Sequence, residues 1–241
     1  DQLIPNVLFI QQLGNTNERN IFITTAQMED RHKSSILADS LGIGATNFQR
    51  IVVDPNSPDK IMNLLLANKW DSETEYIVNI TGGTKMMSQM VYNVFKEFSN
   101  AKIYYWPIHQ NYAEQLHPDF RQISFNKDVN LDLKTYFIAH GYSFSTPSEI
   151  SHTAQRAENL FEKVLNKGSA GEVSEIARAK KNNYLRPDKP YLAGGWFEEW
   201  LYYNLRNELK LEDSQIGLNL KLKSRYSKNL AESDNEIDIA F

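Results

Sequence analysis

The 241-residue chain has no cysteine. This excludes a disulfide framework and thiolate chemistry, and leaves any zinc ion only His, Asp and Glu as ligands. It agrees with an intracellular, reducing setting, the cytoplasm. The five histidines, His32, His109, His117, His140 and His152, form no pair at the i, i+4 spacing of a helical metal site. No run of eighteen apolar residues is present, so no membrane span is expected. No signal-peptide pattern precedes the first element. An excess of positive charge is missing too. With 26 Lys and Arg against 30 Asp and Glu, the net charge is −4, so any nucleic-acid contact must come from a local basic site. The chain carries no internal repeat and no low-complexity tract.

What is present is a 41% apolar chain, long enough for two modest domains or one large one. A helix is expected from Pro5, whose missing N–H costs nothing in a first turn. Strands follow at Asn20 to Thr25, Arg50 to Val53, Glu75 to Ile80 and Ala101 to Ile108. Between them, Met28 to Leu41, a segment capped by Ser57, and Thr84 to Phe98 read as helices. Phe120 to Phe125 closes a terminal hairpin. This alternation argues for an α/β fold, a Rossmann-like, mostly parallel sheet with helices on both faces. The alternation opens on a helix, so a first strand is expected upstream of Asp1. Both ends read as truncated, the C-terminal one within an apolar run at Phe241.

After Asn126 the pattern changes. Leu131 to Tyr142, Thr153 to Asn166 and Val173 to Lys181 read as helices, and 182–195 as a loop. A helix over Trp196 to Leu209 and strands at Ile216 to Leu222 and Asn235 to Phe241 complete the chain. The expected division is 1–126, a helical connector over 127–190, and 191–241.

The segment I-V-N-I-T-G-G-T-K at 77–85 runs from a buried strand into a glycine loop at a helix start. Two glycines allow a sharp turn and close approach of a ligand, and the helix N-terminus aims N–H groups at the same place. Thr81 and Thr84 add hydroxyls and Lys85 a cation, a set that suits phosphate. The spacing is neither a Walker loop nor a dinucleotide fingerprint. A tight strand-to-helix turn remains an equal reading of G-G-T-K alone. Asn79 points toward function, because a polar residue in a buried strand needs a partner.

Near the C-terminus, Trp196, Phe197, Trp200, Leu201 and Leu205 share an apolar helix side. Glu198 and Glu199 sit in the first turn, where a solvated pair is the ordinary reading. In N-E-I-D-I-A-F, Glu236 and Asp238 share one strand face, either a metal-binding edge or an exposed face. Basic clusters at Arg178, Lys180, Lys181, Arg186 and Lys189, and at Lys221, Lys223, Arg225 and Lys228, are either solvated faces or a nucleic-acid channel.

Taken together, N-I-T-G-G-T-K-M-M at 79–87, D-Q-L-I-P-N-V-L-F-I at 1–10 and F-I-T-T at 22–25 resemble the CARF domain, the Rossmann-fold sensor of type III CRISPR systems. The resemblance implies a homodimer that binds a cyclic oligoadenylate, cyclic tetra-adenylate foremost. It implies ligand contacts from Gln2, Pro5 and Asn6, from Thr24 and Thr25, and from Thr81, Gly82, Gly83, Thr84 and Lys85. The C-terminal acids resemble the PD-(D/E)xK nuclease fold, a restriction-endonuclease-like α/β domain. Glu198 matches its helix glutamate, with Phe197 before it and Leu201 and Leu205 after. Asp238 matches its metal-binding aspartate. That resemblance implies Mg²⁺ or Mn²⁺ held by Asp238 and Glu198 as catalytic residues, and a DNA or RNA substrate. The (D/E)xK strand would follow Phe241, so the 241-residue chain is expected to be inactive as a nuclease. The combined resemblance is to ancillary nucleases switched on by cyclic tetra-adenylate in antiviral defence. The alternatives are a sensor module with an inactive nuclease-like scaffold, and a ring nuclease that degrades its own cyclic ligand.

Overall fold

The computed structural model describes residues 3–107, 110–125, 131–145, 154–167, 191–226 and 235–241. The chain forms two compact units, Asp1–Leu131 with Thr135–Gly141, and Asp132–Lys134 with Tyr142–Phe241.

The first unit begins with α1 (Ile4–Leu13), which has a proline in its first turn. Two of its side chains are fully withdrawn from water. Val7 packs with Leu37 and Ala139, and Phe9 packs with Tyr104 and Ala113. β1 (Asn20–Thr25) pairs in parallel with β2 (Phe48–Val53). β3 (Tyr76–Asn79) pairs in parallel with β4 (Ala101–Tyr105). β5 (Tyr112–His117) and β6 (Arg121–Ser124) then extend that sheet antiparallel. The expected terminal hairpin is therefore a three-stranded meander, with β5 inserted in it. β5 was hidden because its buried side chains are Ala113 and Gln115, which carry no hydrophobic signature.

The helix expected over Met28 to Leu41 is two, α2 (Ala26–Asp30) and α3 (Lys33–Leu41). The break lies at His32, whose φ is 54°. A polar pin surrounds it: Arg50 Nε bonds Ser34 Oγ at 2.6 Å and pairs with Glu29 Oε2 at 2.9 Å. α3 stops at Gly42, a left-handed residue whose N–H reaches back to Ala38 and Asp39. α4 (Pro58–Ala67) does start after Ser57, but that hydroxyl donates to Asp54 Oδ2 rather than capping the helix. α5 (Lys85–Phe95) follows the glycine loop.

The main core lies between β1–β4 and helices α4 and α5. Ile61 and Leu65 of α4 are 0% exposed and meet Val53, Val78, Val91, Phe95 and Ile103. Val78 faces this core, whereas Ile77, on the opposite face of β3, is 45% exposed. The strand is thus buried on one face only, not on both as the apolar run implied.

α6 (Leu133–Ala139) ends three residues earlier than a helix through Tyr142 requires, with Gly141 at φ 86°. Tyr142 opens β7 (Tyr142–Ser145), the first strand of an antiparallel sheet with β8 (Gly217–Ser224) and β9 (Asn235–Ala240). Among the described residues the second unit also holds α7 (Ala154–Lys167) and α8 (Trp196–Leu209). Tyr191–Gly195 is a π-helical turn leading into α8, not part of a loop. The helix expected at Val173 to Lys181 and the basic cluster over 178–189 lie outside the described residues.

Candidate functional site

In the first unit the site grows from the carboxyl end of β3. Ile80 N–H donates to Tyr104 O at 3.0 Å, so the sheet holds the chain until the loop begins. Gly83 has φ 82°, a left-handed conformation that costs an L side chain about 1–2 kcal/mol. Thr84 then caps α5, its Oγ1 accepting Met87 N–H at 3.2 Å. Ser88 Oγ, one turn into the helix, donates to Ile80 O at 3.0 Å and to Gly82 O at 3.1 Å. The loop is therefore tied to its own helix from beneath. Gly82, Gly83, Thr84 and Lys85 are exposed on its outer side. The early N–H groups of α5 have no intrahelical acceptor, and they point the same way with the positive end of the helix dipole.

Two side chains from elsewhere complete the loop. Asn79 Oδ1 accepts Thr81 N–H at 3.0 Å, and Asn79 Nδ2 donates to Asn6 Oδ1 at 3.0 Å. Trp106 N–H donates to Thr81 Oγ1 at 2.7 Å, leaving the Thr81 hydroxyl proton for a further acceptor. The Trp106 indole packs on Phe125, with ring centroids 4.3 Å apart, and its N–H bonds Gln110 O. Trp106 is thus a packing residue whose backbone holds the site.

Of the residues expected here, Asn6, Thr81, Gly82, Gly83, Thr84 and Lys85 come together. Pro5 and Asn6 lie in the first turn of α1. Thr24 and Thr25 end β1, also at the carboxyl end of a parallel strand. Thr24 is 8% exposed, and Thr25 Oγ1 caps α2 by accepting Met28 N–H at 3.3 Å. Among the described residues no hydrogen bond joins either threonine to the glycine loop. Gln2 lies outside the described residues. Sequence reasoning did not find Ser88, because a serine one turn into a helix carries no pattern of its own.

In the second unit α8 is used on two sides. Trp200 stacks on Phe161 with ring centroids 3.7 Å apart and bonds Glu158 Oε2 through its indole N–H at 2.8 Å. Tyr202 and Leu205 instead pack with Ile216, Leu218 and Ile239 of the sheet region. The two first-turn glutamates therefore differ. Glu199, read as one of a solvated pair, is 5% exposed, and its charge acts on Tyr191 and Tyr203. Glu198 is half-buried and faces the acids of β9. Burial first, and then the charges of Asp238 and Glu236, push Glu198 above the ordinary carboxylate range. A hydrogen bond from the Asn219 amide acts in the opposite direction. Asn219 has φ 52° and falls opposite Asp238 in the β8–β9 ladder, whose register pairs Leu218 with Ile239 and Leu220 with Ile237.

Carboxylate oxygens are the donors that Mg²⁺ and Mn²⁺ prefer. Yet among the described residues no group of three or more His, Cys, Asp or Glu side chains is placed to hold a metal ion. Glu198 and Asp238 are carboxylates of that kind, and among the described residues they are not joined by a third such group placed to hold an ion.

The family model of the Card1 CARF domain matches residues 1–136. The chain belongs to that family. The glycine loop, α1 and β1 all lie within the matched CARF residues. No curated protein matches the sequence. Among solved structures, Can2 from Sulfobacillus thermosulfidooxidans, in complex with cyclic tetra-adenylate, is similar with TM-score 0.67 at 18% identity, over 99% of this chain and 72% of that one. Protein VC1899 from Vibrio cholerae is similar with TM-score 0.70 at 14% identity, over 99% and 74%. A type III CRISPR defence DNA nuclease activated by cyclic oligoadenylate is similar with TM-score 0.62 at 16% identity, over 99% and 36%. At these identities the likeness is one of fold, a mixed α/β architecture with parallel-containing sheets. No helix among the described residues is long and apolar enough to cross a membrane.

Proposed function

We propose that the chain senses a cyclic oligoadenylate, cyclic tetra-adenylate foremost, in type III CRISPR defence. The observation that carries this reading is the exposed donor set of Gly82 to Lys85 at the N-terminus of α5, braced from below by Ser88 and Asn79. Such a set recognises a phosphate diester through N–H groups, hydroxyls and one cation, so a net-acidic protein can still bind it. Membership of the CARF family and the cyclic tetra-adenylate held by Can2 support the choice of ligand. A ring with two-fold symmetry calls for two copies of the loop, and a homodimer supplies them. Calorimetric titration of the chain with cyclic tetra-adenylate tests the reading. Saturable binding at one ring per two chains is expected, and absence of binding refutes it.

We further propose that the second unit belongs to a nuclease switched by that ligand, acting on DNA or RNA. Glu198 and Asp238 would contribute carboxylates toward Mg²⁺ or Mn²⁺, and the ion supplies positive charge for the phosphate under attack. Bound ligand biases activation only by its differential affinity for the two states of the protein. Two similar folds described as Can2 and as a CRISPR defence nuclease support this part. The incomplete acid cluster favours a second reading, in which the unit is a scaffold without cleavage. Ligand-dependent cleavage of labelled DNA and RNA with and without Mn²⁺, by a form that carries a (D/E)xK strand, separates the two.

A further inference from the structure

Asn79 sits at the end of β3, where its carboxamide meets two groups of fixed chemistry. Thr81 N–H is a donor only, so the Asn79 atom 3.0 Å from it has to be the oxygen. The other Asn79 atom is then the amino nitrogen, which turns the oxygen of Asn6 toward itself at 3.0 Å. That leaves Asn6 Nδ2, a double donor, as the end not used in this bond. The whole carboxamide lies beside the loop: a carbon placed on Gly82 would stand 3.5 Å from Asn6 Nδ2 and 3.6 Å from Asn6 Oδ1. One backbone N–H thus sets, through two side chains, which end of Asn6 is left to donate beside the loop.

We propose that Asn79 is a positioning residue for anion recognition: it engages the Asn6 carboxamide oxygen, so that the N–H₂ group, and not the oxygen, is left to donate to a phosphate bound over Gly82 and Gly83. The inference rests on the sensor reading above. With the opposite orientation Asn6 would present a carbonyl oxygen to the anion, replacing an attraction with a repulsion. Asn79 itself need not touch the ligand, since both of its polar atoms are already engaged.

Replacing Asn79 with aspartate isolates the effect. The aspartate still accepts Thr81 N–H, but its second oxygen now demands a donor, and Asn6 reverses to supply Nδ2. Cyclic tetra-adenylate affinity of the full chain is expected to fall about thirtyfold in Asn79→Asp, the size of one lost hydrogen bond to a charged group. In an Asn6→Ala background the same substitution has no amide to reverse, so its cost should shrink to within about threefold. Asn6→Asp is the mirror experiment. It keeps the acceptor for Asn79 Nδ2 and the melting temperature, yet puts an anionic oxygen in place of the N–H₂ group and weakens binding at least as much. Solvent exchange of the Asn6 side-chain amide, followed by nuclear magnetic resonance without ligand, should slow in Asn79→Asp as that N–H₂ becomes bonded. Undiminished binding by either aspartate variant, additive costs in the double variant, or unchanged Asn6 exchange overturns the proposal. Failure of the wild-type chain to bind overturns the sensor reading itself, whereas wild-type binding with an undiminished Asn79→Asp overturns only the positioning role.

Discussion

Around the loop between β3 and α5, almost every internal polar group has been given a partner. Ser88, Asn79 and the N–H of Trp106 hold it from the protein side, and the donors left over face outward. The start of α8 is built the other way. There burial, and then the charges of Asp238 and Glu236, raise the cost of ionising Glu198, and a single amide, Asn219, acts against it. The first region is preorganised and short of negative charge. The second is short of positive charge and incomplete among the described residues. A site of the first kind can bind as it stands, whereas one of the second kind waits for a cation or a cationic partner.

The largest expected effect tests the acid side. In a form of the protein that carries a (D/E)xK strand, Glu198→Gln with Asp238→Asn should lower ligand-stimulated cleavage by roughly a hundredfold or more, while cyclic tetra-adenylate affinity stays within twofold. Equal loss of both activities would break the division between a binding region and an acid region.

The next tests the loop. Lys85→Glu should weaken cyclic tetra-adenylate about a hundredfold and flatten the salt dependence of binding, read by calorimetry at two ionic strengths. Protection of the amides of α7 and α8 in hydrogen exchange should not change.

Gly83→Ala places an L side chain at φ 82°, so the first unit should lose about 1–2 kcal/mol, seen as faster exchange around β3 and α5. A neutral result would mean that the loop is not held in that conformation. Trp200→Phe keeps the stack on Phe161 and removes the hydrogen bond to Glu158. It should cost about 1 kcal/mol, confined to the second unit.

The smallest effect at neutral pH concerns Tyr191, whose hydroxyl burial pushes up to about 12, with the Glu199 charge adding to the shift. Its pKa is higher folded than unfolded. The stabilisation is therefore complete below the unfolded value of ~10 and disappears as pH rises through about 12. Tyr191→Phe should leave neutral-pH stability nearly unchanged. It should reduce the loss of second-unit stability between these two values, measured by urea unfolding along a pH series.

Much of this was legible from local pattern. β1 to β4, α1, α4, α5 and α8 follow from apolar period, proline placement and glycine stops. The elements that escaped have physical reasons. β5 turns Ala113 and Gln115 inward, so alternation of polarity is absent. β7 follows Gly141 after a helical pattern and is too short to assert its own period. The break at His32 is secured by Arg50, which stands on another strand, and no window around residue 32 contains that information. The pairing of Glu198 and Glu199 misled because both satisfy the same dipole argument. Packing of α7 and the sheet against different sides of α8 separates them.

The sequence by itself determined that a strand runs into T-G-G-T-K, that the loop needs glycine, and that a helix starts at Lys85. These are consequences of short-range sterics and of side-chain period. Only the tertiary structure decided which partners answer the loop's polar groups. Asn6 and Asn79 are 73 positions apart in the chain, and Thr81 and Trp106 are 25 apart. A hydrogen bond fixes which atom faces which. The fold, by bringing α1, β3 and β4 together, selects the pairs that form.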